Sequence, residues 1–353
     1  MGGDRMGCTH HLENEDIELK DPRVAIAGIG GAGVNCIDRL TRLGFHSGDM
    51  YLINTDAKSL HGKTADRILL LGRHKFQGRG AGGDPRTAEE CAIYSMQEIR
   101  ELLIGKDIVF LVAGLGGGTG TGVTPVVAEV VRELGGIVVP ICTLPFRSEG
   151  RERGSRARAG AQKLHSISNS VILLDNNKLL SIEPNLPVYQ AFSMMDQVIA
   201  DTIMSVLGTF QGGSYMNIDF SDVKSVLQDG GLATIIYGES ASTLPEVVVK
   251  DALMSPFLDI DYSDAKGALI KIIGGKNLTI RAFNAIVEGI VTHISEDALV
   301  KPGLEIREEY DGRVCVFGIL TGVHSDFLPK DHPKIAEVSS TVLEGIFSEI
   351  ERK

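Results

Sequence analysis

At 353 residues, with a formal net charge of −11 and 43% hydrophobic residues, the chain has room for about two domains with real cores. The acidic balance argues against general affinity for nucleic acid, which needs a basic surface, and against binding to anionic lipid. No apolar run approaches the roughly 20 residues of a membrane span, no signal-peptide core is visible, and five scattered cysteines (Cys8, Cys36, Cys91, Cys142, Cys315) form no C-x-x-C pair, so small core thiols in a reduced cytoplasm are expected.

Residues 1–20 are polar and aperiodic and read as a disordered arm, with His10 and His11 too weak a pair to imply a metal site. A strand at 23–27 runs into Gly28, Gly30 and Gly33, a G-x-G-x-x-G turn followed by a helix. Alone, that is a dinucleotide fingerprint, with Asp49 near the place of a ribose-binding acid, and it supplies one reading: a nicotinamide-dependent oxidoreductase. The next strand, 50–54, ends in Asn54-Thr55-Asp56, polar groups expected in the ligand crevice. Residues 57–64 come close to a P-loop, but Lys58, Ser59, Leu60 and His61 cannot wrap amides around phosphate, and 67–71 reads as a strand. A second glycine-rich loop, 78–85, with Gly82 and Gly83, is followed by a helix at 86–103.

The densest signal comes next. A buried strand at 108–112 feeds a run in which six of nine residues, 114–122, are glycine, and a helical pattern follows at 125–134. Glycine lets backbone approach a ligand closely, and a helix N-terminus presents free N–H groups with partial positive charge. That combination is an anion cradle, and phosphate is the expected anion. A further strand, 136–142, leads to Pro145 and Phe146, then to a basic helix at 151–164, most of which reads as a solvated face; Glu149 and Arg153 stand apart at the loop edge, where a ribose would lie. After a strand at 170–174 comes Asn176. Alternating strands and helices predict a doubly wound, mostly parallel α/β sheet with ligand loops at its carboxyl edge.

Residues 188–210 form a long amphipathic helix on which Phe192 and Asp196 share a face, placed to reach a base. In Asn217-Ile218-Asp219-Phe220-Ser221-Asp222, two carboxylates lie three residues apart; Asp222 reads as a possible cap of a helix at 223–229, whereas Asp219 has no structural duty in this reading. Strands at 233–237, 268–274 and 314–320, with helices at 244–255 and 279–294, make a smaller α+β domain. Beyond it, 334–353 is amphipathic, either packing back or offering a partner a face. The divisions expected are thus 1–20, 21–187, 188–210, 211–222, 223–323 and 324–353.

Gly30, Gly31 and Asn35, the Asn54-Thr55-Asp56 strand end, Gly80–Gly83, the GGGTGTG run from Gly116 to Gly122, Pro145 to Arg153, Asn176, the Phe192/Asp196 pair, the N-x-D-F-x-D-V loop and AKGALIKIIGG at 265–275 recur in one order and spacing. In these the chain resembles the tubulin/FtsZ family, in its prokaryotic, archaeal-type FtsZ branch. The resemblance implies GTP and GDP as ligands. Asp196 and Asn176 would read the guanine edge while Phe192 stacks on it; Glu149 and Arg153 would contact the ribose. Gly82, Gly83, Gly116, Gly117, Gly118, Thr119, Gly120, Thr121 and Gly122 would hold phosphates bridged by Mg²⁺, and Gly30, Gly31, Asn35 and Pro145 would also bind the nucleotide. It implies too that Asp219, then Asp222, with Asn217 beside them, act on the nucleotide of an adjacent copy in a head-to-tail polymer. Such a GTPase would work when assembled, in the cytoplasm at the division site, with division-protein adaptors as further partners and membrane contact only indirect. An FtsZ-like filament acting in cell shape is the alternative within the family. Members commonly end in a linker and an adaptor-docking peptide, a pattern from which 334–353 departs.

Overall fold

The computed structural model describes residues 22–208, 215–241, 244–254 and 257–328. The predicted arm at 1–20 and the amphipathic stretch at 334–353 lie outside them. Ten strands form one sheet, in the order β3-β2-β1-β4-β5-β6-β7-β10-β8-β9. The first half runs β1 (Val24–Ile29), α1 (Gly30–Arg42), β2 (Asp49–Asn54), α2 (Ala57–Leu60), β3 (Arg67–Leu70), α3 (Arg73–Phe76), α4 (Pro85–Tyr94) and α5 (Met96–Leu103). It continues through β4 (Ile108–Gly114), α6 (Thr119–Glu133), β5 (Ile137–Leu144), α7 (Arg151–Ile167), β6 (Ser170–Asp175) and α8 (Leu179–Ile182). The long α9 (Val188–Leu207) follows, and then α10 (Phe220–Leu227), β7 (Gly231–Ser240), α11 (Pro245–Leu253), β8 (Gly267–Gly274), α12 (Ile280–Val291), β9 (Leu299–Ile306) and β10 (Val314–Thr321).

Side chains alternate across each strand, so the sheet feeds two cores. Ala25, Ala27 and Ile29 pack with residues of α4 to α7, α11 and α12. Val24 and Ile26 join the opposite core, built with α1, α9 and α10. Helices therefore cover both faces, the doubly wound α/β arrangement expected. The strands from β3 to β7 pair in parallel, whereas β10 is antiparallel to β7 and β8. The smaller α+β half thus extends the same sheet through β6 and β7, with Ser170 opposite Gly231.

Three differences from the sequence reading have local causes. Residues 86–103 form two helices broken at Ser95, whose hydroxyl accepts the buried Gly72 N–H at 3.1 Å. Helix α6 begins at Thr119, not at Pro125, which lies within it; a proline inside a helix forgoes one backbone bond and so mimics a start. Strand β9 escaped notice because Pro302 and Gly303 interrupt its pattern, which an edge strand tolerates. Among the described residues no helix is long and apolar enough to cross a membrane.

Candidate active site: a nucleotide cleft at the carboxyl edge of the sheet

Two helix N-termini meet beyond the carboxyl ends of β1 and β4. Neither α1 nor α6 has a side-chain cap, since Ile29 and Gly118 occupy the cap positions. Their first amides have no partner within the helix and face outward. They are also close together: a Cβ on Gly30 would lie 3.2 Å from the Gly120 nitrogen. Two helix dipoles aimed at one point make a site for a polyanion without a lysine.

The cleft there has a volume of about 390 Å³. It brings together Gly30, Gly31, Asn35, Gly117, Gly118, Thr119, Gly120, Pro145, Glu149, Arg153, Asn176, Phe192 and Asp196. Its far end suits a purine. Phe192 is exposed and meets the Phe146 ring edge-on at 5.7 Å. Asn176 is buried, and its Oδ1 finds no hydrogen-bond partner among the described residues. A buried acceptor without a donor is costly, so a ligand N–H is the group this wall fits. Neighbouring Asn177 does the bracing instead, with its Oδ1 accepting the Arg147 amide and its Nδ2 donating to the Pro145 carbonyl. Burial lifts the Asp196 carboxyl to about 6, the Arg39 charge opposing. Arg39 also grips Gln197 from α1, at 2.8 and 2.5 Å, and so fixes α9 beside the cleft. At the mouth Glu149 accepts the Phe146 amide at 2.8 Å and pairs with Arg153 at 3.0 Å.

Several predicted residues do other work. Gly116, with φ of +98°, lies over Arg153, and its amide donates to Thr121 at 2.8 Å. Gly122 is a packing glycine: a Cβ would fall 2.1 Å from the Pro85 carbonyl oxygen. Gly116, Thr121 and Gly122 therefore shape the loop from behind rather than line the cleft. Gly82 and Gly83 also stand outside the lining, although their loop touches Gly118. Arg156, read as part of a solvated face, holds the Gly83 carbonyl at 2.6 Å. That contact spans 73 residues and no local pattern announces it. Asn54 turns back onto the amides of Thr55 and Asp56, and Thr55 pairs its hydroxyl with that of Thr119 at 2.8 Å; these support the cradle instead of entering it.

The dinucleotide reading fails on geometry. Asp49 begins β2 opposite Ala25, at the end of the sheet away from Gly30, and is tied to Lys106 and Tyr51. Gly28 and Gly33 serve packing, a Cβ on Gly33 meeting the Val112 oxygen at 2.3 Å. The near-P-loop at 57–64 contains the short helix α2, which the sequence reading did not foresee, and the strand expected after it is β3. Cys36, Cys91, Cys142 and Cys315 are buried, and burial pushes the Cys142 thiol up to about 12.

Asp219 reverses the expectation placed on it. Helix α10 starts at Phe220, three residues earlier than predicted, and Asp219 is its N-cap. Its Oδ1 accepts the Asp222 amide at 2.8 Å and the Ser221 hydroxyl at 2.7 Å, while Asp222 accepts the Asp219 amide at 3.3 Å in return. The Ser221 hydroxyl above all holds the Asp219 carboxyl below the usual carboxylate range. Capping does not bury it: the Asp219 carboxyl is exposed to solvent, as is Asn217. Neither these residues nor Asp222 line the cleft.

A doubly wound sheet whose crevice presents the uncapped N-termini of two helices, with Asn176 and Asp196 on its far wall, has the form of a nucleotide site of a kind distinct from P-loop and dinucleotide folds. Residues 23–184 match the family model described as tubulin/FtsZ family, GTPase domain, and 231–324 match FtsZ family, C-terminal domain. The chain belongs to the tubulin/FtsZ family and is a GTPase of its FtsZ branch. It is 42% identical to cell division protein FtsZ 2 of Haloferax volcanii, over 89% of this chain and 78% of that protein. The FtsZ 2 of Methanocaldococcus jannaschii is likewise 42% identical, over 91% and 84%. The solved M. jannaschii FtsZ, titled an empty dimer, superposes with a TM-score of 0.80 at 37% identity, covering 88% of this chain and 92% of that one. CetZ2 from H. volcanii, a protofilament bound to GTPγS, shares the fold with a TM-score of 0.74 at 22% identity, covering 94% and 99%.

Proposed function

We propose that this chain is the GTPase of a cell-division filament, polymerising head to tail in the cytoplasm at the division site and hydrolysing each GTP at the junction of two copies. One observation carries the reading: the cleft and the carboxylate suited to activate water lie at different places on one molecule. Among the described residues no lysine or histidine lines the cleft. Its acids are engaged, Glu149 with the Phe146 amide and Arg153, and Asp196 on the base wall. From Asp196 the helix carries the chain about 16 Å to Leu207, at 1.5 Å per residue, before the Asp219 loop begins. The related structures, a dimer of M. jannaschii FtsZ and a protofilament of CetZ2, support self-association. The 42% identity to proteins named for cell division, against 22% to CetZ2, favours division over a filament acting in cell shape.

In this reading guanine donates its N1–H and N2–H to ionised Asp196, meets Asn176 and stacks on Phe192. Losing such a charge-assisted pair costs about 1.5–3 kcal/mol, enough for tenfold or greater preference over adenine. The amides of α1 and α6, flanked by Asn35 and the Gly82–Gly83 loop, carry the phosphates, and Glu149, Arg153 and Pro145 border the ribose. Among the described residues no three His, Cys, Asp or Glu stand together to cage a cation. Magnesium would therefore ride on phosphate oxygens and water. From the adjoining subunit Asp219, held by its cap hydrogen bonds, offers its exposed carboxylate to the attacking water, with Asp222 and Asn217 beside it. Phosphoryl transfer is chiefly positioning and electrostatics, so one fixed carboxylate suffices. Adaptor proteins would supply any contact with membrane.

The test is the GTPase rate per subunit against protein concentration, with Asp219→Ala alongside. The expected curve stays low and rises steeply above a threshold, and the variant binds GTP normally while turnover falls roughly a hundredfold or more. A specific rate independent of concentration, or full turnover by the variant, would overturn the reading.

A further inference from the structure

Strand β9 holds the loop that carries Asp219, and it does so at three points. The loop bridges to it through Met216 and Leu304, whose amides donate to each other's carbonyls at 3.3 and 3.0 Å. Gly303 lets Ile218 come close, since a Cβ there would lie 3.0 Å from the Ile218 side chain and 3.3 Å from the Met216 oxygen. Two residues earlier, on the same face of the strand, Lys301 reaches Asp222 at 2.7 Å. Both side chains of that pair are largely shielded, at 30% and 25% exposure.

Asp222 is the residue through which Asp219 is set. Its amide fixes Asp219 Oδ1, and its other carboxylate oxygen accepts the Asp219 amide. Two carboxylates this close repel each other. A lysine on the outer oxygen of Asp222 offsets that charge, keeps the reciprocal cap closed, and holds the solvent-exposed Asp219 carboxyl in place at the head of α10. We propose that Lys301 is a positioning residue for hydrolysis: it orients Asp219 of its own subunit, through Asp222, toward the nucleotide of the next. This rests on the shared-site reading above and adds a residue outside the loop and outside the cleft.

The test uses the full chain with Lys301→Met, which keeps the aliphatic stem, and Lys301→Arg, which keeps the charge. In assembled protein Lys301→Met should lower kcat roughly tenfold, the scale of one charge-assisted hydrogen bond, with KM for GTP and GDP affinity unchanged. Lys301→Arg should restore most of the loss. Unchanged kcat in Lys301→Met, or a defect confined to GDP affinity, overturns the proposal.

Mixed assembly separates it from the reading beneath. Asp219→Ala has a spoiled loop and Asp196→Ala a spoiled cleft, so mixing these two should regain turnover; no gain removes the shared site, and the Lys301 proposal with it. Given that gain, Lys301→Met should also recover when mixed with Asp196→Ala, whose loop is sound, and show no recovery with Asp219→Ala. The opposite pattern would place Lys301 on the nucleotide side and refute the assignment even with the shared site intact.

Discussion

In the proposed function Asp196 would have to be ionised to accept two guanine N–H bonds, yet burial lifts its carboxyl to about 6. The unliganded fold therefore favours the protonated acid: that contribution to stability is complete below the unfolded value and fades as pH rises through about 6. Nucleotide binding runs the other way. GDP affinity should be level above about pH 7 and weaken about tenfold for each unit below about 6, as read by a fluorescent GDP displacement series. Asp196→Asn should bind weakly with no such slope, and a flat wild-type profile would contradict the assignment. Asp196 and Phe192 were legible in the sequence because residues four apart share a helix face. Asp219 was half legible. Its D-x-x-D spacing before an apolar run is the sign of a capped helix start, but the helix had been placed three residues late, so capping was credited to Asp222 alone. Lys301 and Arg156 gave no sign, since their partners are remote in the chain and meet only once the sheet is assembled.

At the scale of the element, α6 and its glycine run show how one composition covers two duties. The sequence identified the cradle but not its division of labour, because whether a glycine faces ligand or backbone depends on where the helix begins. Gly120 allows α6 to lie against β4: a Cβ would fall 2.2 Å from the Gly114 carbonyl oxygen. Backbone cannot yield as a side chain can, so Gly120→Ala should cost about 3 kcal/mol and abolish nucleotide binding. Gly31, in the first turn of α1, has open space where its Cβ would stand. Gly31→Ala should leave stability unchanged or raise it by about 0.5–1 kcal/mol, yet weaken GDP binding, because Gly31 lines the cleft. Denaturant unfolding paired with GDP titration separates the two variants; a stable Gly120→Ala would remove the packing argument.

The whole molecule was read from sequence as a nucleotide domain, a linking helix and a smaller domain, and the two family matches fall on either side of α9 in the same way. Sequence patterns mark where element types change, not whether one sheet crosses the boundary. Here it does. Ser170 on β6 pairs with Gly231 on β7. Beneath that junction the Ser170 hydroxyl donates to the Leu227 carbonyl at 2.7 Å, and Asn169 donates to the Gln228 carbonyl at 2.8 Å. Gly230 admits the approach, as a Cβ would stand 2.2 Å from the Ser170 oxygen. Helix α9 lies in the same core as strands of both halves, with Ile199 and Ile203 clustered alongside Val112 and Phe317. With sheet and core shared, neither half can open without exposing apolar surface of the other, so the described body should unfold in one cooperative step. The cleft is lined by the first half and α9 alone, but GDP bound there at a hundred times its Kd should stabilise the whole by about 2.7 kcal/mol. Hydrogen exchange can check this residue by residue: slow amides of β8 and β10 should gain the same protection from GDP as those of β1 and β4. Protection confined to the first half would mean the sheet transmits no stability across β6 and β7.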